Sequence, residues 1–295
     1  MITMKLYLLA FWLGLCIFLS CNTSVEYDKP SSGNELVAES YLIEGDSCLM
    51  VRLERAGSIY SIPGPTYFDK EREVHDAEVK ITLDGVEHEL KEIPDDNIFF
   101  QFYSKSVYKK YMKIKPCSEC KLSVNYKNSM ISSKSAFPNK IPIKSAEVSP
   151  VYETKNFNLR FSFKFELKDN LTHYFRIKIV VETESGNNIG LSFFNPLYFT
   201  VSREMEQPII IHFKKDIYDL YPGFNKNNFN YKNVYVIFEQ MNEDYHNFRQ
   251  ALKVQKEDDD SPWGGEITQI PTNIKDGFGI FTCITRDTVC ANIIH

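Results

Sequence analysis

The chain has 295 residues, a formal net charge of −5 at pH 7, and many aromatic residues, including 22 Phe and 17 Tyr. The negative charge and the absence of a basic cluster in the sequence argue against nucleic acid as a partner. Aromatic residues favour strands, and this length suits two domains of ordinary size, so the composition predicts a mainly β protein.

The N-terminus predicts a signal peptide over residues 1–20. An apolar run over 6–19 is shorter than the roughly 20 residues that a membrane-spanning helix needs. Cys21 follows this run directly after the small residue Ser20, whereas Cys16 lies inside it, so Cys21 is the better acceptor for a lipid such as palmitate. Attached acyl chains would hold the protein on a membrane surface. Ordinary secretion with cleavage near Ser20 is the alternative.

The next segments predict a tether and a first domain. Residues 21–34 are polar and turn-forming, as in a flexible tether. Alternating apolar and polar residues then predict an N-terminal β-sandwich domain over 35–130. Its clearest element is a hairpin from Val79 to Leu90, where Asp84 and Gly85 supply the positive φ angles of a tight turn. This register places apolar residues on one face and complementary charges on the other.

The second half predicts another β domain. Residues 131–150 are rich in Ser, Lys and Pro, and we expect an interdomain linker there because proline is excluded from central strands. A C-terminal domain over 151–295 begins with strong alternation at 157–167. Residues 242–255 predict one amphipathic helix, because apolar residues recur there at helical spacing after an asparagine that can cap. With a terminal hairpin over 279–294, the fold class is mainly β, with two Ig-like β-sandwich domains.

Five cysteines lie beyond the leader: Cys48, Cys117, Cys120, Cys283 and Cys290. Export would permit disulfides between them. Cys117 and Cys120 form a Cys-x-x-Cys pair, for which a small structural disulfide, free thiols and a reactive site stay open, since no second pair at zinc-finger spacing follows. Cys283 and Cys290 would form a cross-strand disulfide if a two-residue turn lay midway between them. That pairing would leave Cys48 alone.

Aromatic residues in loops are the candidate contacts for a glycan, a peptide or a partner protein. Trp263 adjoins two glycines, and Tyr218, Tyr221 and Phe224 share one loop. Packing over the ends of a sandwich is the alternative for these rings. Thr288 lies in an Asp-Thr-Val sequence that resembles the short signal at which Bacteroidota attach O-linked sugars.

The sequence lacks the usual catalytic signatures. No Gly-x-Ser-x-Gly, Walker loop or dinucleotide fingerprint occurs, and the six histidines form no His-x-His or His-Glu-x-x-His pair. The acidic run over 257–260 is contiguous, which favours a solvated loop over a calcium site. We therefore expect no metal, no cofactor and a binding role instead of catalysis. A glycoside hydrolase with two carboxylates from distant strands is the less favoured alternative.

Several segments carry a family resemblance: the signal and tether, 36–43, 51–56, 74–81, 244–252, 261–263 and, most specifically, 270–281. Together they resemble a large Bacteroidota family of outer-membrane lipoproteins of unknown function, encoded beside TonB-dependent, SusC-like transporters. The chain departs from that family at 116–120, where a glycine-aromatic motif is usual. The resemblance implies an outer-membrane location and an accessory role next to a TonB-dependent transporter. Glu26 and Asp28 in the tether resemble the short acidic signals that send such lipoproteins to the outer leaflet, at the cell surface. The family resemblance supplies no catalytic residues.

Overall fold

A computed structural model describes residues 35–56, 73–93, 106–152, 157–183, 188–190, 197–205, 209–213, 231–259 and 270–293. These ranges are mainly β, as predicted, with one helix among them. The strands of the first half are β1 (Leu36–Ile43), β2 (Cys48–Arg55), β3 (Glu78–Leu83), β4 (Val86–Glu92), β5 (Ser106–Tyr111), β6 (Cys120–Tyr126) and β7 (Ser129–Ser135).

The elements of the second half are β8 (Ile143–Tyr152), β9 (Phe157–Phe165), β10 (His173–Thr183), β11 (Asn188–Gly190), β12 (Leu197–Val201), β13 (Ile209–Phe213), β14 (Tyr231–Met241), α1 (Glu243–Asp259), β15 (Phe278–Cys290) and β16 (Asn292–Ile293). Within the described ranges, no helix combines the length and the apolar character needed to span a membrane.

One strand joins the two halves of the chain. Twelve strands form a sheet in the order β11-β10-β14-β15-β1-β2-β5-β4-β3-β6-β7, with β12 also paired to β10, and β13-β9-β8-β16 form a second sheet. Residues 278–284 of β15 pair in parallel with β1, and residues 285–290 pair antiparallel with β14. The last long strand therefore completes the sheet of the first half and continues into that of the second.

Two apolar cores lie against opposite ends of this strand. The first core collects alternate side chains of β1 to β7, with Phe281 and Cys283 of β15. The second core is rich in phenylalanine from β9, β10 and β14, and the rings of Phe163 and Phe238 meet edge to face at 4.9 Å between centroids. A smaller cluster packs α1 against β1 and β15.

The predicted hairpin from Val79 to Leu90 is confirmed. Its register pairs Val79 with Leu90 and Leu83 with Val86, and Asp84 and Gly85 have φ angles of 45° and 85° at the turn. These positive angles suit the right-handed twist of the paired strands. The apolar face is buried at the base and in the middle of the hairpin, at Val79, Ile81 and Leu90, whereas Val86 at the tip is 59% exposed.

The predicted helix is also confirmed, and it runs slightly further than expected. Asn242 precedes α1, and its side-chain oxygen accepts a hydrogen bond from the backbone N–H of Tyr245 at 3.2 Å. This bond satisfies one of the amide groups that a helix leaves free at its start. Tyr245 and Phe248 are buried against β1 and β15.

Residues 131–150, which we expected to be a linker, contain strands instead. Ile131 in β7 is buried in the first core, and Val148 in β8 is buried in the second. Pro138 and Pro142 lie between these two strands and mark a short connection. Pro150 lies inside β8, beyond the residues that pair with β16, where a strand edge tolerates proline. The domain boundaries themselves stay a prediction.

The expected terminal hairpin over 279–294 is wrong, because β15 runs without a turn from Phe278 to Cys290. Residues 279–285 are all buried, so both faces of this stretch are covered and it reads as an apolar run without alternation. Cys283 and Cys290 are seven residues apart on this strand, or about 23 Å at the usual rise of a strand. The predicted disulfide between them is therefore ruled out by distance.

Candidate functional site

An open cleft, here called the junction cleft, lies where three loops of the first half meet β15. It consists of two adjoining cavities of about 420 and 400 Å³, which share Glu44 and Pro116 on their walls. The remaining wall residues that matter below are Asp84, Lys113, Lys115, Cys117, Ser118, Lys140, Arg286 and Thr288.

Backbone hydrogen bonds fix the first wall of the junction cleft. The turn between β1 and β2 contains Gly45, whose φ of 86° is readily adopted only by glycine. The N–H of Gly45 donates to the carbonyl of Ile114 at 3.0 Å, and the N–H of Ile114 donates to the carbonyl of Asp46 at 2.8 Å. The turn and the loop after β5 therefore form one braced wall.

A buried carboxylate anchors the floor of the junction cleft. Glu239 on β14 has no exposed surface, and its oxygens accept hydrogen bonds from Arg176, from Lys178 Nζ at 2.9 Å and from Arg286 Nη2 at 2.8 Å. Arg286 Nη1 also donates to Asp46 Oδ1 at 2.6 Å. This group of charges, here called the Glu239 network, ties three strands to the first wall and holds Arg286 at the cleft.

The charge of Glu239 survives its burial. Burial alone would raise the pKa of this carboxyl, but the neighbouring charges of Arg176 and Lys178, and hydrogen bonds from Lys178 and Arg286, outweigh it and lower the pKa. A buried charge is tolerated only when it is paired and hydrogen-bonded in this way. The Glu239 network is therefore a structural support that orients Arg286.

The rim of the junction cleft is rich in lysine. Lys113 and Lys115 are exposed on the loop after β5. Lys140 lies across the cleft, where its Nζ donates to the carbonyl of Arg286 at 2.9 Å and approaches Glu44 Oε2 at 3.8 Å. Cationic side chains thus outnumber anionic ones on the cleft walls, which favours an acidic ligand surface.

Three cysteines lie together beside the junction cleft. The sulfur atoms of Cys117 and Cys120 are 2.9 Å apart, and the thiols of Cys120 and Cys283 are hydrogen-bonded to each other. All the cysteines in the described ranges carry free thiols, so the disulfide considered for Cys117 and Cys120 is not formed in this structure. Burial raises the pKa of Cys117 to about 12. The hydrogen bond with Cys283 and then burial raise the pKa of Cys120 further.

The turn of the first hairpin holds the cysteine loop in place. Asp84 Oδ1 accepts hydrogen bonds from the backbone N–H and the hydroxyl of Ser118 at 3.0 and 2.8 Å, and from the N–H of Glu119 at 3.1 Å. These bonds lower the pKa of Asp84. The sequence pattern around Asp84 predicts only a turn residue and gives no sign of this second role, because the loop that Asp84 binds lies 34 residues away.

The segment most typical of the resembled family, 270–281, has a structural role. Asn273 imitates a neighbouring strand: its side-chain NH₂ donates to the carbonyl of Phe281 at 2.8 Å and its side-chain oxygen accepts from the N–H of Phe281 at 2.9 Å. Gly279 has a φ of 108°, and a Cβ there would lie 2.0 Å from the carbonyl oxygen of Ala38. The segment thus lets β15 approach β1 closely while its other edge stays hydrogen-bonded.

Most of the sequence-predicted contact residues lie outside the described residues and stay predictions: Cys21, Trp263, Tyr218, Tyr221 and Phe224. Thr288 is exposed on β15 at the rim of the junction cleft, and not on a hairpin tip. O-glycosylation of this residue stays a prediction. In the part of the chain that the structure describes, no group of three or more His, Cys, Asp or Glu is arranged to hold a metal ion.

A family model described as "Domain of unknown function (DUF4249)" matches residues 22–289. No curated protein matches the chain. One similar solved structure is a DUF4785 family protein from Legionella pneumophila, with 12% identity, 69% of this chain and 51% of that chain covered, and a TM-score of 0.22. Another is dimeric latent PorU from Porphyromonas gingivalis, with 11% identity, 82% and 18% covered, and a TM-score of 0.17. The chain spans about half of the first structure and under a fifth of the second, and neither similarity defines a fold.

Proposed function

This chain belongs to the DUF4249 family of domains of unknown function, and we propose that it is a lipid-anchored binding protein of the cell envelope. In this proposal it acts as an accessory subunit of a TonB-dependent outer-membrane transporter in a Bacteroidota cell. The leader is removed, Cys21 receives the acyl chains, and residues 21–34 hold two Ig-like β-sandwich units away from the outer membrane. The function resides in a protein surface that binds the transporter.

The junction cleft is the observation that carries this proposal. It is open, it lies where the two halves share β15, and its walls are braced by backbone hydrogen bonds and by the Glu239 network. A rigid groove loses little conformational entropy when a partner segment enters it. Lys113 and Lys115 on its rim suit a segment with acidic side chains, because complementary charges speed and orient association.

Lipid attachment can be tested separately from binding. The intact chain is expressed in its native envelope and labelled metabolically with an alkyne fatty acid. We expect labelling of the wild type, full labelling of the Cys16→Ala control and loss of labelling in Cys21→Ala. An unlabelled wild type would overturn the lipid anchor and leave secretion as the explanation of the leader.

Binding is tested by co-purification of the tagged chain from the outer membrane in mild detergent. We expect a TonB-dependent β-barrel to co-purify with the wild type, and about tenfold less of it with Lys113→Glu/Lys115→Glu, since reversing two rim charges costs about 1.4 kcal/mol or more. The matched control is Lys91→Glu/Lys168→Glu, which reverses two exposed lysines outside the cleft walls. Equal recovery with both double variants would remove the cleft from the proposal. Recovery of the chain alone, where known barrel complexes survive, would overturn the accessory role.

A further inference from the structure

The three cysteines beside the junction cleft come from separate parts of the chain. Cys117 lies in the loop after β5, Cys120 begins β6, and Cys283 lies in β15. Cys120 and Cys283 are fully buried in the first core, and Cys117 packs against that core while lining the cleft. Cys120 is the shared member, because its sulfur lies 2.9 Å from that of Cys117 and it packs with Cys283 in the same apolar core.

The surrounding structure keeps these thiols together. Asp84 holds the loop between Cys117 and Cys120 through three hydrogen bonds. Cys120 is paired in register with Leu83, and Cys283 is paired with Leu42. These contacts keep the three cysteines together in the folded chain, with the sulfur atoms of Cys117 and Cys120 at 2.9 Å.

We propose that Cys117, Cys120 and Cys283 form a disulfide-exchange site, in which Cys120 is bonded to Cys117 in one oxidised form and to Cys283 in the other. The oxidant is a disulfide, carried by a protein or by a small molecule such as glutathione disulfide. This inference is independent of the proposed binding role, since it concerns the oxidation state of the chain itself.

The chemistry begins at Cys117, the only one of the three that lines the cleft. Its thiolate attacks the oxidant disulfide, forms a mixed disulfide and releases one thiol. The Cys120 thiolate then attacks the Cys117 sulfur and releases the second thiol, so the chain loses two electrons and two protons and the oxidant gains them. Attack of the Cys283 thiolate on the Cys120 sulfur moves the bond and returns Cys117 to a thiol, without net oxidation.

The two oxidised forms differ in what they constrain. A bond between Cys117 and Cys120 closes a loop of a few residues, whereas a bond between Cys120 and Cys283 links β6 to β15 across the first core. A longer closed loop removes more freedom from the unfolded chain. We therefore expect the form with the second bond to unfold at the higher temperature. In that form, the disulfide would link β15 covalently to β6 within the first core.

The bonds can be mapped by mass spectrometry on the full chain after exposure to glutathione disulfide, alkylation of free thiols and digestion with trypsin. Cys117 and Cys120 stay together in peptide 114–121, because proline follows Lys115, and Cys283 lies in peptide 276–286. A bond inside the first peptide lowers its mass by about 2 Da, and the other bond joins the two peptides. We expect one bond per chain and one alkylated cysteine among the three.

Single variants separate the two forms. Cys283→Ser should show only the bond inside peptide 114–121. Cys117→Ser lacks the thiol that meets the oxidant at the cleft, so its buried Cys120 and Cys283 should both stay reduced in the folded chain. Cys120→Ser should show neither of the two bonds. If the serine hydroxyl prevents folding, Cys120→Ala, which keeps the core apolar, serves the same purpose. Cys290→Ser is the control on the same strand and should behave as the wild type, because Cys290 is exposed and distant.

The rate adds a further readout. Because the pKa of Cys117 is about 12, its thiolate fraction rises about tenfold for each pH unit between pH 7 and 9, and oxidation should accelerate in proportion. The proposal is overturned if folded wild-type chain keeps all three thiols under oxidant, carries only glutathione adducts, or forms a bond between Cys117 and Cys283 in the Cys120 variants. None of these outcomes would affect the lipid or co-purification tests.

Discussion

The two ends of β15 bury polar groups in opposite ways. Residues 279–285 are enclosed among apolar side chains and thiols, where the side chain of Asn273 supplies neutral hydrogen bonds to the backbone. Three residues beyond Cys283, Arg286 enters the Glu239 network, where burial is offset by paired charges. The comparison shows that each end depends on complete pairing of its polar groups, so a single substitution at either end leaves a partner that nothing else can satisfy.

The largest expected effect is at residues 279–285, the end of β15 that is enclosed by neutral groups and is here called the neutral end. In Gly279→Ala the new Cβ would lie 2.0 Å from the carbonyl oxygen of Ala38, at a φ of 108° that alanine rarely adopts. Because that oxygen belongs to the backbone of the paired strand, β1 and β15 would have to separate. We expect a loss of more than about 4 kcal/mol in the free energy of unfolding, or failure to fold.

The control for this substitution is Gly45→Ala. Gly45 also has a positive φ, of 86°, but a Cβ there would meet nothing within 4 Å. We expect a loss of about 1 to 2 kcal/mol from the backbone conformation alone. Urea unfolding followed by circular dichroism measures both variants. Equal losses would show that the close approach of β1 and β15 is unimportant.

The other end of β15, where Arg286 joins the Glu239 network, is here called the charged end. At this end, Glu239→Gln should lower the free energy of unfolding nearly as much. The substitution keeps the shape of the side chain but leaves the charges of Arg176, Lys178 and Arg286 without their shared partner. We expect a loss of about 3 to 5 kcal/mol, as for other buried pairs broken on one side. The control is Glu87→Gln on β4, where the carboxylate is 58% exposed and pairs with Lys80 at the surface. Its urea midpoint should hardly change.

The charged end should also respond to acid. The pKa of Glu239 is lowered in the folded protein from an ordinary value of 4.5. The stability contributed by its ionised form is therefore fully present above about pH 4.5, and it is lost as the pH falls from there through the folded-state pKa. Unfolding measured from pH 7 to 3 should show a weaker acid dependence in Glu239→Gln than in the wild type. An identical pH dependence would contradict the lowered pKa.

A smaller effect at the neutral end is expected for Asn273→Ala. The substitution removes both hydrogen bonds to Phe281 and leaves a backbone N–H and a carbonyl without those partners. We expect a loss of about 2 kcal/mol in the free energy of unfolding. Asn125→Ala is the control, because Asn125 is exposed and bonds only the side chain of Glu78 at the surface. A loss as small as that of the control would show that the strand edge is satisfied by other means.

The smallest effect concerns the loop that carries Cys117. Asp84→Ala removes the acceptor that holds Ser118 and Glu119, so the loop should open more often and a maleimide should label Cys117 several times faster in the folded protein. Asp84→Asn keeps an acceptor oxygen and tolerates the φ of 45° at this position, so its labelling rate should stay near that of the wild type. An unchanged rate in Asp84→Ala would show that other contacts hold the loop.

Local patterns in the sequence predicted the local elements well. The alternation around Asp84 and Gly85 is enough for the hairpin and its register, and Asn242 with its following apolar spacing is enough for the start of α1. Both depend on residues that are close in the chain. Prolines at 138 and 142 misled the prediction, because a short connection between strands has the same composition as a linker.

Long-range features could not be predicted from single-sequence patterns. The apolar run of β15 gives no sign that one part pairs with β1 and the next with β14, and its symmetric cysteines suggested a turn that does not exist. The partners of Glu239 come from two other strands, β10 and β15, and Cys283 joins the Cys-x-x-Cys pair only through the folded first core. Residues that are far apart in the sequence and meet only in the fold leave no regular spacing to recognise. The junction cleft and the Glu239 network are therefore visible only in the structure.

The shared strand has a consequence for how the protein is made. Asp46 and its partner Arg286 are 240 residues apart in the sequence. The edge of β1 is covered by β15, which comes similarly late in the chain. The opening half of the chain therefore stays incomplete on a ribosome or inside a translocation pore until nearly all of the polypeptide has been delivered. If the early strands fold before β15 is made, the edge of β1 has no strand to pair with. A chain truncated before residue 278 should therefore misfold throughout its length, and not only near its end.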